Sequence, residues 1–291
     1  MVSNRDLAAH NVLFVTIDCC RYDTLRQAQL PFLKSLGRFR EARTHGTYTL
    51  PAHMSFFMGY LPSVISEPYQ AYYSSEVRQL WRLASGRACP KERIGIEIHG
   101  DNIIDGYRRR GFRTLGAGGV RWFRHPLLQG IFDRFLFYGS SDERSVFAER
   151  GAEEFPLNHI DDLLSEIGDS SFFLFINCPE THVPYDFGEG EPVPGARRII
   201  EAFSGIWGFK KRTAEGSKLD FSDLTVLHTA QVEALQRLDK KLKRLTECLS
   251  RPLLIVICGD HGECFGEDRN WGHGYAHPKV LKVPLLIAHL D

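Results

Sequence analysis

The sequence predicts an α/β fold built on an open, mostly parallel sheet. Several uninterrupted apolar runs have the length and the β-branched or aromatic character of strands buried on both faces. A long stretch with helical leucine spacing leads into one of them, as a crossover helix should. Three of the runs end in polar clusters, the place where open parallel sheets bind ligands.

The run at 11–18, Asn-Val-Leu-Phe-Val-Thr-Ile-Asp, reads as the first strand. The runs at 171–177 and 253–258 read as the second and third, with 93–98 and 283–288 as neighbours. Polar clusters follow at Asp18-Cys-Cys-Arg21, Asn177-Cys-Pro-Glu-Thr-His182 and Gly259-Asp-His-Gly-Glu263, so three strand ends point to one shared site. Leu224, Leu227, Gln231, Leu235, Leu238, Leu242, Leu245 and Leu249 recur at threes and fours, which predicts a crossover helix. Its basic run, Lys240-Lys241 with Lys243-Arg244, is expected on the solvated face and as a complement to the dipole of the last turn. Shorter helices are expected at 31–36, 52–57, 103–110 and 158–167, and the Gly- and Pro-rich stretch 186–195 as an exposed loop.

The chain has 291 residues, 43% hydrophobic and 25% charged, which suits a soluble globular protein and excludes a disordered or fibrous one. Thirty-six basic side chains balance 36 acidic ones, which argues against non-specific nucleic-acid binding. No apolar run approaches the roughly 20 residues of a membrane span, and the N-terminus lacks the apolar stretch of a signal peptide. Seven scattered cysteines without a CxxC pair read as reduced thiols, so a cytoplasmic location is expected. Without repeats or linkers, residues 1–291 read as one domain. The least readable stretch, 70–150, is either a variable substrate-side insertion or a helical core with a solvated turn at Arg108-Arg-Arg110. Its aromatic residues Trp122, Phe123, Phe132, Phe135, Phe137 and Tyr138 belong to whichever holds.

The chemistry concentrates in a few segments. Asp260-His261 at a strand end, with His273 and His277 following in Gly-rich sequence, offers the mixed oxygen and nitrogen set that zinc or manganese accepts. Asp18 either pairs with the same cation or caps a turn, because a bare carboxylate there is costly. Glu180 and His182 either ligate a second ion or belong to a simple turn. Thr49, just before Pro51, is placed as an N-cap whose hydroxyl lies at the positive end of a helix, or serves as a metal-activated nucleophile.

The ordered set 11–18, Thr49-Leu-Pro-Ala-His53 with Phe56-Phe-Met-Gly59, Pro184-Tyr185, Asp260-His-Gly-Glu263, Gly272-His-Gly274 and Val283-Pro-Leu-Leu-Ile287 resembles the sulfatase-like branch of the alkaline phosphatase superfamily. The resemblance implies a doubly wound sheet with helices on both faces and a metal site at the strand ends. By position it implies that Asp18, Asp260 and His261 ligate one divalent ion, with Thr49 as nucleophile on the same ion. Glu180, His182 and His273 match the ligands of a second ion, His53 falls where sulfatases carry an arginine supporting the nucleophile, and His277 is a substrate contact. The resemblance is incomplete at two points. Thr49 cannot become formylglycine as the sulfatase Cys or Ser does. Cys19 also follows Asp18 where sulfatases carry a second aspartate, which disfavours calcium and favours zinc or manganese.

The expected function is a metal-dependent hydrolase of phosphate monoesters or diesters using one or two ions. Metal-bound Thr49 would attack phosphorus in line, and water would then release phosphate from Thr49. The alternatives are a soluble phospho-group transferase, a sulfate-ester hydrolase and a non-catalytic metal-binding scaffold. The substrate is expected to be a small-molecule or peptide-borne ester. The sequence leaves the oligomeric state open.

Overall fold

The computed structural model describes residues 10–59, 102–139, 152–185, 193, 195 and 221–291. The strand expected at 93–98 and most of the loop expected at 186–195 lie outside them. A seven-stranded sheet runs in the order β2-β9-β6-β1-β5-β3-β4. Its strands are β1 (Asn11–Ile17), β2 (Arg40–Arg43), β3 (Arg113–Gly118), β4 (Arg134–Phe137), β5 (Phe172–Cys178), β6 (Leu253–Gly259) and β9 (Lys282–Leu290); β7 (Cys264–Phe265) and β8 (Trp271–Gly272) form a separate ribbon. β1 is central and pairs in parallel with β5 and β6, while β9 runs antiparallel to β6 and β2. The three strands whose ends carry the polar clusters are therefore adjacent.

Helices cover both faces, and the pleat decides which side chains meet which layer. Leu13, Val15 and Ile17 of β1 join a core beneath α1 (Tyr22–Gln27), α2 (Pro31–Leu36), α6 (Ile160–Ile167) and α7 (Phe221–Cys248). Val12 and Phe14 face the opposite core, under α3 (Thr49–Met58) and α4 (Ile103–Arg109). α5 (Pro126–Gln129) and α8 (Pro278–Leu281) are single turns. No helix among the described residues is long and apolar enough to cross a membrane.

The leucine stripe of α7 is buried along its length, and each buried leucine contributes about 1.5–3 kcal/mol of transfer free energy. Asp239 on this helix accepts from the amides of Phe32 (3.1 Å) and Leu33 (2.8 Å), capping the start of α2 from outside. The expected dipole role of the basic run does not hold, because α7 continues to Cys248 and its last turn has no basic residue. Lys241 instead donates to Asn158 Oδ1 at 2.5 Å.

Three strands lack a sequence signal. β2, Arg-Glu-Ala-Arg, is a polar edge strand with no apolar alternation. β3 contains two glycines, and at Gly116 an added Cβ would lie 2.4 Å from the Phe135 ring, so the small residue is required by packing. β4 is only four residues long. The aromatic residues Phe123 and Phe132 are buried in the core around Phe175, and Arg108 pairs with Asp105 and Asp133. The described part of 70–150 therefore supplies core and a solvated basic turn.

Candidate metal centre

The site forms where β1, β5 and β6 end side by side. Asp18 N donates to Cys178 O at 2.9 Å, tying the first strand end to the second. The Cys19 amide donates to Asp260 Oδ1 at 3.2 Å, and the His261 amide to the same oxygen at 2.8 Å, tying it to the third. Thr181 Oγ1 donates to the Asp18 carbonyl, and Thr44 Oγ1 to the Asp260 carbonyl at 2.6 Å. Gly262 has no room for a side chain, because a Cβ there would lie 2.2 Å from Lys279 O.

Asp18, Asp260 and His261 are fully buried, and one ligand atom from each lies within 4.8 Å of the other two. His261 Nε2 is 3.5 Å from Asp18 Oδ1 and 3.6 Å from Asp260 Oδ2. His261 Nδ1–H donates to Gly262 O at 3.0 Å, so Nε2 carries the lone pair that faces the two carboxylates. Burial lowers the His261 pKa and outweighs the pull of Asp18, so these contacts are not ion pairs. Burial pushes the Asp260 carboxyl up to about 8, against the opposing effect of its amide hydrogen bonds. Asp260 Oδ2 and His261 Nε2 have no hydrogen-bond partner among the described residues. Two orphaned, converging donor atoms with a second carboxylate fit a divalent cation held by one nitrogen and two oxygens.

Thr49 brings the hydroxyl to this group. It is the first residue of α3, one position inside the expected cap, and Tyr48 is the N-cap. Its Oγ1 lies 3.5 Å from Asp18 Oδ2. His53, one turn later, uses both ring nitrogens: Nδ1–H donates to Thr49 O at 2.6 Å, and Nε2 accepts from Thr16 Oγ1 at 2.8 Å. The Phe56, Phe57, Phe123 and Phe175 rings surround it. Burial pushes its pKa down to about 3, so the ring is neutral. It therefore supports the Thr49 backbone, as a neutral brace rather than the cation an arginine would supply.

A second group of ligand atoms adjoins the first. Cys19 Sγ is 3.5 Å from His273 Nδ1 and 3.9 Å from His261 Nδ1. Cys19, Asp18 and His182 also have ligand atoms within 4.8 Å of one another. Glu180 is fully buried, yet it belongs to none of the ligand-atom groups among the described residues. His277 caps α8: its Nδ1 accepts from Lys279 N at 3.1 Å, and its Nε2 faces Asp268 Oδ2 at 3.0 Å. Both ring nitrogens of His277 are thus engaged within the chain.

Sequence reasoning missed the layer behind the ligands. Gln231 Nε2 donates to Cys19 O (3.0 Å), Thr181 O (3.0 Å) and Glu263 Oε1 (3.2 Å), binding together all three strand-end loops. The signal was present: one amide interrupts an otherwise leucine stripe. Tyr185 donates to Glu263 Oε1 at 2.8 Å, and burial raises the Glu263 pKa to about 8.

No protein-family model and no curated protein matches the chain. Solved structures do. The phosphonate monoester hydrolase of Agrobacterium radiobacter overlays with a TM-score of 0.64 at 16% identity, covering 96% of this chain and 68% of that one. The C-terminal periplasmic domain of EptC from Escherichia coli, in complex with zinc, overlays with a TM-score of 0.61 at 12% identity, covering 97% and 73%. A protein of the alkaline phosphatase superfamily from Vibrio parahaemolyticus overlays with a TM-score of 0.50 at 17% identity, covering 97% and 60%. The chain shares its fold with these proteins. At these identities the likeness is one of fold, and it agrees with the doubly wound sheet seen here. The expected cytoplasmic location gains no support from these neighbours, one of which is a periplasmic domain.

Proposed function

We propose that this protein is a metal-dependent phosphoesterase with Thr49 as nucleophile. The observation that carries the reading is the placement of Thr49 Oγ1, 3.5 Å from Asp18 Oδ2 within the buried Asp18, Asp260 and His261 group. Those three residues, with Thr49 beside them, would hold the ion. A bound divalent cation supplies positive charge to phosphoryl oxygens and lowers the pKa of the hydroxyl.

The remaining work belongs to the chain. The first turn of α3 leaves backbone amides without intrahelical partners, at the positive end of the helix where anionic oxygens are stabilised. Thr49 Oγ1 donates to Asp18 Oδ2 at 3.5 Å, so that carboxylate is placed to take the hydroxyl proton as the oxygen attacks. Attack forms an Oγ1–phosphorus bond and releases the ester alcohol; water then cleaves that bond and restores the hydroxyl. A threonine cannot become the formylglycine of sulfatases, which favours phosphoryl over sulfuryl transfer. The named hydrolase activity of one fold neighbour and the zinc complex of another are consistent with this reading and no more specific than it.

The test is metal analysis of the purified protein, followed by assay on aryl phosphate monoesters, diesters and sulfates, with and without an added alcohol acceptor. Hydrolysis of a phosphate ester, lost in Thr49→Ala with metal content retained, is the expected result. Full turnover in Thr49→Ala would overturn the nucleophile assignment. Product formed only with the alcohol would make the protein a transferase.

A further inference from the structure

We infer that the cavity between β2 and α8 receives the alcohol part of the ester, and that Arg43 selects alcohols carrying an anionic group of their own. The inference rests on the phosphoesterase reading above and deepens it, because that reading leaves the alcohol unspecified.

The cavity measures about 280 Å³. That is just under the ~300–1,000 Å³ of sites that enclose a whole small-molecule ligand, so it suits one arm of a larger substrate. Pro278 and Leu281 give it an apolar wall, and Glu41, Arg43 and Lys282 its charged side. His277 lines it too, with its ring held in place because both nitrogens are engaged within the chain. Lys282 Nζ lies 3.0 Å from Glu41 Oε1, so those two charges offset each other. Arg43 is exposed and makes no ion pair among the described residues. Its guanidinium is therefore the uncompensated charge of the cavity, and its fork of donors matches a carboxylate or a phosphate.

The backbone sets this cavity against the metal centre. Thr44, next to Arg43, is buried. Its amide donates to Leu281 O at 2.9 Å on the cavity side, and its hydroxyl to Asp260 O at 2.6 Å on the ligand side. A single residue thus joins the cavity wall to a metal ligand. Gly274 N donates to Thr47 O at 2.7 Å, which ties the loop bearing His277 to the segment leading into Thr49. The Arg43 charge is felt along that segment: burial lowers the His45 pKa, and Arg43 lowers it further. An ester with its phosphorus at Thr49 Oγ1 would lay its alcohol along the Thr44 segment and its anionic end on Arg43. That contact is made equally before and during attack, so it acts on KM and not on kcat.

The experiment compares initial rates on phenyl phosphate with those on three classes of para-substituted phenyl phosphate. The first carries a carboxylate, attached directly or through one or two methylenes; the second is hydroquinone bisphosphate; the third carries an aminoethyl group. At least one anionic ester should show a kcat/KM roughly tenfold above phenyl phosphate, expressed in KM. Arg43→Ala should remove that preference, and Arg43→Glu should reverse it in favour of the aminoethyl ester. Calorimetry with a matching phenol, para-hydroxyphenylpropionate, reads the cavity without turnover: the wild type should bind it and Arg43→Ala should not. Hydrolysis of phenyl phosphate with no preference for any anionic ester would overturn the cavity assignment and leave the phosphoesterase reading standing. A preference that survives Arg43→Ala would do the same. Arg43-dependent binding of the phenol without hydrolysis of any ester would uphold Arg43 as the anion contact and overturn the activity. Neither binding nor hydrolysis would overturn both.

Discussion

His53 and Thr49 are joined through the backbone: the His53 Nδ1–H donates to the Thr49 carbonyl at 2.6 Å, one turn back in α3. The bond continues inward, because Nε2 accepts from Thr16 Oγ1, which in turn accepts from Asn177 Nδ2 at 3.1 Å. The candidate nucleophile is thus held at fixed depth by a neutral network running to two sheet strands. His53→Ala should cost about 3–5 kcal/mol, combining a cavity with two lost hydrogen bonds. Chemical denaturation measures the loss. An unchanged midpoint would show that the network is not structural.

Asp260 both accepts two amides and faces His261. Asp260→Asn keeps the shape and one amide acceptor but removes the charge that an ion requires. The variant should stay folded and lose metal affinity by about 100-fold or more. Competition with a chromogenic chelator reads this directly, and retention of wild-type affinity would remove Asp260 from the ligand set.

Gln231 bonds all three strand-end loops. Gln231→Leu fits the apolar stripe of α7 but leaves Cys19 O and Thr181 O without that donor and Thr24 Oγ1 without its 2.6 Å acceptor. We expect a loss of about 2–4 kcal/mol in stability, with a further loss of metal affinity because the Cys19 turn is released. If calorimetry gave a more stable protein with normal metal binding, the amide would not be the tie proposed.

Acid sensitivity should trace partly to His228. Burial, reinforced by Arg21, pushes its pKa from 6.5 down to about 4, while its ring bonds Thr24 Oγ1 at 2.9 Å and stacks on Phe265. The unfolded chain therefore binds the proton more readily than the folded one. His228 favours the fold fully above pH 6.5, and that contribution is lost as pH falls toward 4, at no more than about 1.4 kcal/mol per unit. Thermal melts of His228→Gln should show a shallower acid limb than wild type; parallel limbs would assign the sensitivity elsewhere.

Much of this architecture is legible in the chain because burial writes a pattern. β1, β5 and β6 are buried on both faces and so are continuously apolar, and the α7 stripe carries its period openly. β2 and β3 are silent for the opposite reason: an edge strand needs no apolar alternation, and Gly116 exists to admit a ring from β4. At the site, Asp18, Thr49, Asp260 and His261 were recoverable because each closes or opens a readable element. Cys19 and Glu263 were not, since their roles depend on which loops the sheet order brings side by side; Gln231 left a signal as one amide in a leucine stripe, but its partners were not readable. The cap role of His277 was likewise silent, because its bonds to Lys279 N and Asp268 appear only once the loop is folded.

The central position of β1 also sets a timetable. During synthesis β1 emerges long before β5 and β6, and the Cys19 amide must wait for an acceptor 241 residues later in the chain. At ~5–20 residues per second that is roughly 10–50 s in which a seven-residue apolar strand lacks its β6 neighbour. Pairing at such range is slow even after release. The nascent chain is therefore a natural client for a holding chaperone, and its ligand group comes into being only after β6 has docked.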